Sequence, residues 1–143
     1  MNENVVVIIP THNSMSFIGE ALGSINSVIS RGSILSLLCD NKSTDGTIEL
    51  GVNLNSNNGY INLISNRDAG PSQAINAGLN LINKANIIGW LNSDDVYASG
   101  AIDRAIKLFE SNPKLRIVYG LGRHIDACGK DLGLSNSTTL CLH

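Results

Sequence analysis

"VVVIIP", residues 5–10, is a run of five β-branched residues closed by a proline. Such a run has no polar face to show to water, which marks a strand covered on both sides, as in a parallel sheet between two helix layers. The rest of the chain must then supply helices for both faces, and its pattern does so. Residues 15–30 carry Phe17, Ile18, Ala21, Leu22, Ile25, Val28 and Ile29 at helical intervals, with Ser14 or Ser16 available as cap. Ser33 to Cys39 is a second apolar run and ends at Asp40. Thr44 or Asp45 can cap a helix through Ile48, Leu50, Val52 and Leu54, which Asn57-Asn58-Gly59 breaks. Tyr60 to Ile64 reads as a third strand, and Pro71 sits where a first-turn proline would open a helix through Ala74, Ile75, Gly78, Leu79, Leu81 and Ile82. Ile87 to Leu91 is a fourth strand, Ala101 to Phe109 a helix closed by Asn112-Pro113, and Leu115 to Tyr119 a fifth strand. Strands alternating with helices predict one α/β domain with a Rossmann-like, mainly parallel sheet and helices on both faces.

Composition narrows the function classes. The chain has 143 residues, 43% hydrophobic and 15% charged, with net charge −2, so it is globular and long enough for one core. No Lys/Arg cluster stands out, and nucleic acid is not an expected partner. The three cysteines, Cys39, Cys128 and Cys141, show no CxxC spacing and read as reduced thiols of a cytoplasmic protein. No apolar run approaches the ~18 residues of a membrane span. Met1-Asn2-Glu3-Asn4 has no basic segment of the kind that opens a signal peptide. A soluble chain is expected, with peripheral association at the inner face of a membrane left open. So few ionised groups also favour association, including a homo-oligomer.

In an open parallel sheet, ligands bind beyond the carboxyl ends of the strands. Polar clusters fall at those ends: Thr11-His12-Asn13, Asp40-Asn41, Asn66-Arg67-Asp68 and Asn92-Ser93-Asp94-Asp95. Each alone is ordinary turn chemistry, but four on one rim outline a cleft. GxGxxG after the first strand and GxxxxGK[ST] are both missing, so phosphates would be neutralised in another way. The adjacent carboxylates of Asp94 and Asp95 repel each other unless solvent or a cation intervenes. Mg²⁺ is commonly held by one or two carboxylates plus substrate phosphates, which gives the pair a use. The competing reading has one of them capping the helix near Ala98 to Ile102. His12, with no Ser or Cys nucleophile beside it, reads as a loop hydrogen-bonder rather than a base. Arg67 either meets a phosphate or pairs with Asp68.

The order of these motifs resembles the family 2 glycosyltransferases. "VVVIIPTHNSMSFIGEALGSI" (5–25) resembles their opening strand and helix, and "CDNKSTDGT" (39–47) their acidic loop. "SNRDAGPSQAINAGL" (65–79) is similar to the segment leading into their third helix, "GWLNSDD" (89–95) to their acidic metal motif, and "VYGLGRHIDACGKDLG" (118–133) to the strand and loop that follow. The resemblance implies a GT-A fold over residues 1–133 and transfer, with inversion, from a UDP- or dTDP-sugar to a saccharide or lipid-linked acceptor in polysaccharide biosynthesis. It also implies a divalent cofactor, Mg²⁺ or Mn²⁺. The implied nucleotide contacts are Pro10, Thr11, Asn13, Asp40, Arg67, Asp68, Ser93 and Asp94, with Asp40 and Thr11 at base and ribose. Asp94 and Asp95 are the implied metal residues.

Departures from the family pattern carry expectations of their own. Asn92 stands where the first acid of D-x-D is usual, Asn66 where Glu is usual, Asn41 for an acid and Gln73 for another. Lys42 replaces a glycine, and a lysine there implies that the loop does not need positive φ. Residues 134–143 read as a short tail, with the family's acceptor-binding half and general base missing. The alternative function is therefore a nucleotide-sugar-binding module without transferase activity, with an exposed apolar surface.

Overall fold

The computed structural model describes residues 5–26, 34–58, 61–65 and 70–142. Its elements follow the expected alternation: β1 (Val5–Thr11), α1 (Ile18–Asn26), β2 (Ile34–Asp40), α2 (Thr47–Asn58), β3 (Ile61–Ser65), α3 (Pro71–Leu81), β4 (Ile87–Trp90), α4 (Ala101–Ser111), β5 (Ile117–Ile125) and β6 (Asp131–Leu142). They form one six-stranded sheet in the order β3-β2-β1-β4-β6-β5. The pairs β1–β2, β1–β4 and β2–β3 are parallel, whereas β6 runs antiparallel to both β4 and β5.

β1 is central and buried at every position. It runs through Pro10 to Thr11 rather than stopping at the proline, and the ladder explains why. The amide of Leu91 donates to Ile8 O at 3.1 Å, so even-numbered residues of β1 turn toward β4. The β1–β4 pairing extends only to Ile8 and Trp90. Pro10 therefore turns its missing N–H to a side where no partner carbonyl waits.

Alternation along β1 divides the core into two layers. Val5, Val7 and Ile9 pack with Ile18, Ala21, Leu22 and Ile25 of α1 and Ile102, Ile106 and Phe109 of α4, with Leu50 and Leu54 of α2 alongside. Val6 and Ile8 pack on the opposite face with Leu37, Cys39 and Ala74, the last from α3. Helix α3 comes very close to the sheet at Gly78, where a Cβ would sit 3.0 Å from both Cys39 Sγ and Ile8 Cγ2.

The last third of the chain departs from the sequence reading. The fifth strand is longer than expected, and residues 131–142 form β6, so the boundary placed at Gly133 falls inside a strand that fills the place between β4 and β5. Asp126 shapes the β5–β6 turn, its Oδ1 accepting from the amides of Cys128 and Lys130 at 2.9 Å each. Ile117, Tyr119 and Leu121 lie exposed on β5, at the sheet edge. Among the described residues no helix is long and apolar enough to cross a membrane, and Cys39 and Cys128 are free thiols, the first buried and the second exposed.

Candidate functional site

The polar rim begins where β1 and β2 end side by side. Asn41 N donates to Thr11 O at 2.8 Å, carrying the parallel pairing one step past the strands. Thr11 is buried, and its hydroxyl donates to Ile9 O at 3.0 Å. Asp40 is fully enclosed, with Ser43 N donating to Oδ2 at 2.9 Å and the Ser43 hydroxyl to Oδ1. This double grip turns the chain sharply, and Lys42 takes the strain with φ 55°. The expectation that a lysine excludes positive φ is thereby corrected. The buried carboxylate dictates the turn, and the exposed side chain at its apex follows it at a cost of about 1 kcal/mol.

A second set of bonds ties the segment after β1 to the start of α2. Asn13, at φ 48°, donates from its amide N to Ser43 Oγ at 2.8 Å and accepts from Thr44 N through Oδ1 at 2.9 Å. With Oδ1 so engaged, Asn13 Nδ2 is the donor facing His12 Nε2 at 3.4 Å. His12 Nδ1 lies 2.8 Å from Asn41 O, a group that only accepts, so Nδ1 carries the proton and Nε2 a lone pair. His12 is a loop hydrogen-bonder, as its sequence context indicates.

Thr47, the first residue of α2, is fully buried. Its Oγ1 accepts from Ser14 N at 2.9 Å and donates to Asp45 Oδ1. The other oxygen of Asp45 accepts from Met15 N at 2.9 Å. One carboxylate thus serves backbone amides ahead of both α1 and α2. The Thr47 hydroxyl, followed by the Met15 amide, holds Asp45 below the usual carboxylate range. Ser14 Oγ reaches His12 O at 3.2 Å and Ser93 Oγ at 2.7 Å, which locks the rim of β1 to that of β4.

The end of β4 is built differently. Asn92 uses both ends of its amide: Oδ1 accepts from Trp90 Nε1 at 3.2 Å, and Nδ2 donates to Asp95 Oδ2 at 3.1 Å. The Tyr97 hydroxyl donates to Trp90 O at 3.1 Å, entering the space that Gly89 leaves beside it. Asp94 is exposed, and its carboxylate has no partner among the described residues. Neither acid caps α4, whose N-cap is Gly100 with no side-chain bond. Among the described residues no group of three or more His, Cys, Asp or Glu side chains is arranged to hold a metal. One free carboxylate beside a second, oriented one is nevertheless a donor set that fits a hard divalent ion completing its shell with phosphate and water.

Of the residues nominated from sequence, Pro10, Thr11, Asn13, Asp40, Ser93, Asp94 and Asp95 stand on one rim. Thr11, Asn13, Asp40 and Ser93 are engaged in bracing its loops, and Asp94 and Asp95 face outward. Arg67 and Asp68, with Asn66, lie outside the described residues. Sequence reading offers Ser14 only as a helix cap and does not single out Ser43 or Thr47. Only Thr47 carried a local signal, since Asp45-Gly46-Thr47 places a carboxylate two residues before a helix-opening hydroxyl.

The family model for Glycosyl transferase family 2 matches residues 6–137. A chondroitin synthase of Pasteurella multocida (strain Pm70) is 29% identical over 126 residues, covering 87% of this chain and 13% of that protein. The solved structure of S. aureus TarS 1–349 in complex with UDP-GlcNAc superposes with a TM-score of 0.69 at 22% identity, over 79% of this chain and 32% of that one. The mannosyltransferase PcManGT from Pyrobaculum calidifontis, in complex with GDP-Man and Mn²⁺, gives a TM-score of 0.72 at 22% identity, over 82% and 35%. These likenesses show the fold to be GT-A.

Proposed function

This chain belongs to glycosyl transferase family 2, and on that premise we propose that its polar rim binds a UDP- or dTDP-linked sugar together with a divalent cation. The observation that carries the reading is Asp94: an exposed carboxylate just past the end of β4 with no partner among the described residues, next to an Asp95 that Asn92 holds in place. Asp94 and Asp95 would hold Mg²⁺ or Mn²⁺, which when bound neutralises the charge that grows on the departing nucleoside diphosphate. Asp40 and Thr11 work in this reading through the 41–44 loop they brace, which presents its backbone to the nucleoside. Ser14 and Ser93 fix the distance between that loop and the carboxylates.

The sugar would pass to a hydroxyl of a saccharide or lipid-linked acceptor, with inversion, during polysaccharide assembly at the inner face of the membrane. The chondroitin synthase relative supports the polymer, and the UDP-GlcNAc and GDP-Man/Mn²⁺ complexes of the structural neighbours support the donor class and the cation. The chain spans 13% of that relative, and transfer is therefore put forward as a proposal.

A second reading, donor binding without transfer, draws on the two acids of the β5–β6 hairpin, Asp126 and Asp131. Inverting transfer needs a base in hydrogen-bond reach of the acceptor hydroxyl. Asp126 is occupied by turn amides, and Asp131 by Arg123 at 2.6 Å and the Gly133 amide. Calorimetric titration of UDP and dTDP, with and without Mn²⁺, tests the common element of both readings. Cation-dependent binding that disappears in Asp94→Ala, with the fold intact by circular dichroism, is the expected result. A folded wild-type chain that binds neither nucleotide refutes the proposal.

A further inference from the structure

Trp90 is the chain's one tryptophan, and it stands at the last position of β4 with 41% of its surface exposed. Large aromatic side chains usually owe their orientation to burial. Here hydrogen bonds do that work. Tyr97 holds the backbone through Trp90 O, and Asn92 holds the indole through Nε1. The same Asn92 amide then reaches Asp95. A flat apolar ring, fixed and open to solvent, is thus coupled through one side chain to the carboxylate pair.

We infer that the Trp90 ring is a stacking platform for the sugar carried by the donor. This rests on the nucleotide-sugar reading above and adds to it a residue that determines which sugar is held. The chemistry matches a pyranose in two respects. The face of an indole carries the negative part of its quadrupole, and a pyranose presents a face of C–H groups with small positive charge. Its hydroxyls, around the ring edge, need oxygen acceptors, and Asp95, tied to the indole through Asn92, provides one.

The placement suits the sugar better than the base. β1 separates β2 from β4, so the ends of β2 and β4 stand two strand spacings apart, roughly 10 Å. A base near the β2 end therefore leaves ribose and diphosphate to cross β1 and delivers the sugar to the β4 end. The assignment also accounts for Asn92 where the family pattern has an acid. An amide can accept from the indole N–H and donate to Asp95 at once; an ionised aspartate could do the first and would repel at the second.

Because the chain has a single tryptophan, its fluorescence reports this ring alone. The wild-type chain is titrated, in Mg²⁺, with UDP and dTDP, then with UDP-glucose, dTDP-glucose and UDP-N-acetylglucosamine, with calorimetry alongside. We expect emission to shift or quench with at least one sugar nucleotide and to stay unchanged with the bare nucleotide. In Trp90→Ala, affinity for that sugar nucleotide should fall about fivefold or more, toward that of the bare nucleotide, and Trp90→Phe should restore most of it. Both variants also lose the indole N–H bond to Asn92, so any change in bare-nucleotide affinity should be shared by the two, and the ring's effect is read as the sugar-nucleotide affinity relative to bare nucleotide within each protein. If nucleotide binds but the sugar adds neither fluorescence change nor Trp90-dependent affinity, the platform is overturned and the donor site stands. A shift already complete with bare nucleotide would assign the ring to the base and overturn the proposal equally. If no nucleotide binds, the donor reading fails and the platform with it.

Discussion

Replacing Gly78 with alanine tests the packing on which the rim depends. The new methyl would meet Cys39 Sγ and Ile8 Cγ2 at 3.0 Å and Ile8 Cδ1 at 3.3 Å. Favourable carbon contacts begin near 3.5 Å, so roughly half an ångström is missing on two sides at once. Neither partner can yield easily, since Cys39 is 0% and Ile8 1% exposed. The helix must therefore lift, loosening Ala74 and its neighbours in the same layer. Overpacking of this kind costs about 1–3 kcal/mol. Alanine's better helix propensity returns about 0.5–1 kcal/mol, leaving a net loss of about 0.5–2 kcal/mol. Gly23, in α1, is the matched control: it is exposed, and a Cβ there meets nothing within 4 Å. Gly23→Ala should gain the propensity term alone. Urea denaturation of both variants, read as midpoints at unchanged m, measures the steric term as the gap between them. A Gly78→Ala protein as stable as Gly23→Ala would refute the close-contact argument. Shaving Cys39 to alanine in the same background should recover part of the loss, because the two sites share one contact.

Three further outcomes follow from the rim. Thr47→Val strands the Ser14 amide and removes a donor to Asp45, for a loss of about 1–3 kcal/mol in thermal or urea unfolding. Thr47→Ser should keep most of that, and equal stability of the two variants would remove the hydroxyl from the account. Folding lowers the pKa of Asp45 below its ordinary value, through the Thr47 hydroxyl first and the Met15 amide second, so its contribution is full above that ordinary value and is lost as pH falls through the lower folded one. The stability gap between wild type and Asp45→Asn should hold steady near neutrality and shrink as pH falls below the ordinary carboxylate range; a gap that stays constant to the acid end contradicts this. Lys42→Gly relieves a left-handed lysine but loosens the unfolded chain, so a gain of at most about 1 kcal/mol is expected by urea titration. A clear loss would mean that the lysine side chain stabilises the loop.

The alternation of elements was legible because each strand and helix announces its own period, and the first four strands and all four helices lie within a few residues of where the pattern puts them. β6 was not legible. "DLGLSNSTTLCL" has a glycine, an asparagine and four hydroxyl residues in twelve positions, which reads locally as turn and tail. It is a strand because β4 and β5 pair with it on both sides. The rim divides in the same way. The acids at strand ends were visible as clusters, whereas bonds that tie one strand end to the next join distant residues, such as Asn13 to Ser43, 30 positions apart, and Ser14 to Ser93, 79 apart. Lys42 shows the limit most clearly, since a residue's own preference was overruled by a carboxylate two positions earlier.

The place of β6 in the sheet also bears on how a ribosome-made chain would assemble. The β5–β6 pair is a local hairpin and needs no help from the rest of the molecule to zip. Its junction with the parallel strands is short, made where Ile88 meets Leu142 and Gly89 meets Cys141. Until Cys141 and Leu142 clear the exit tunnel, β4 is an open edge beside a finished β1, and open edges invite pairing with other nascent chains. Vectorial synthesis therefore leaves this edge of the sheet unsealed until residues 141 and 142 have emerged, long after β1 to β4 are complete.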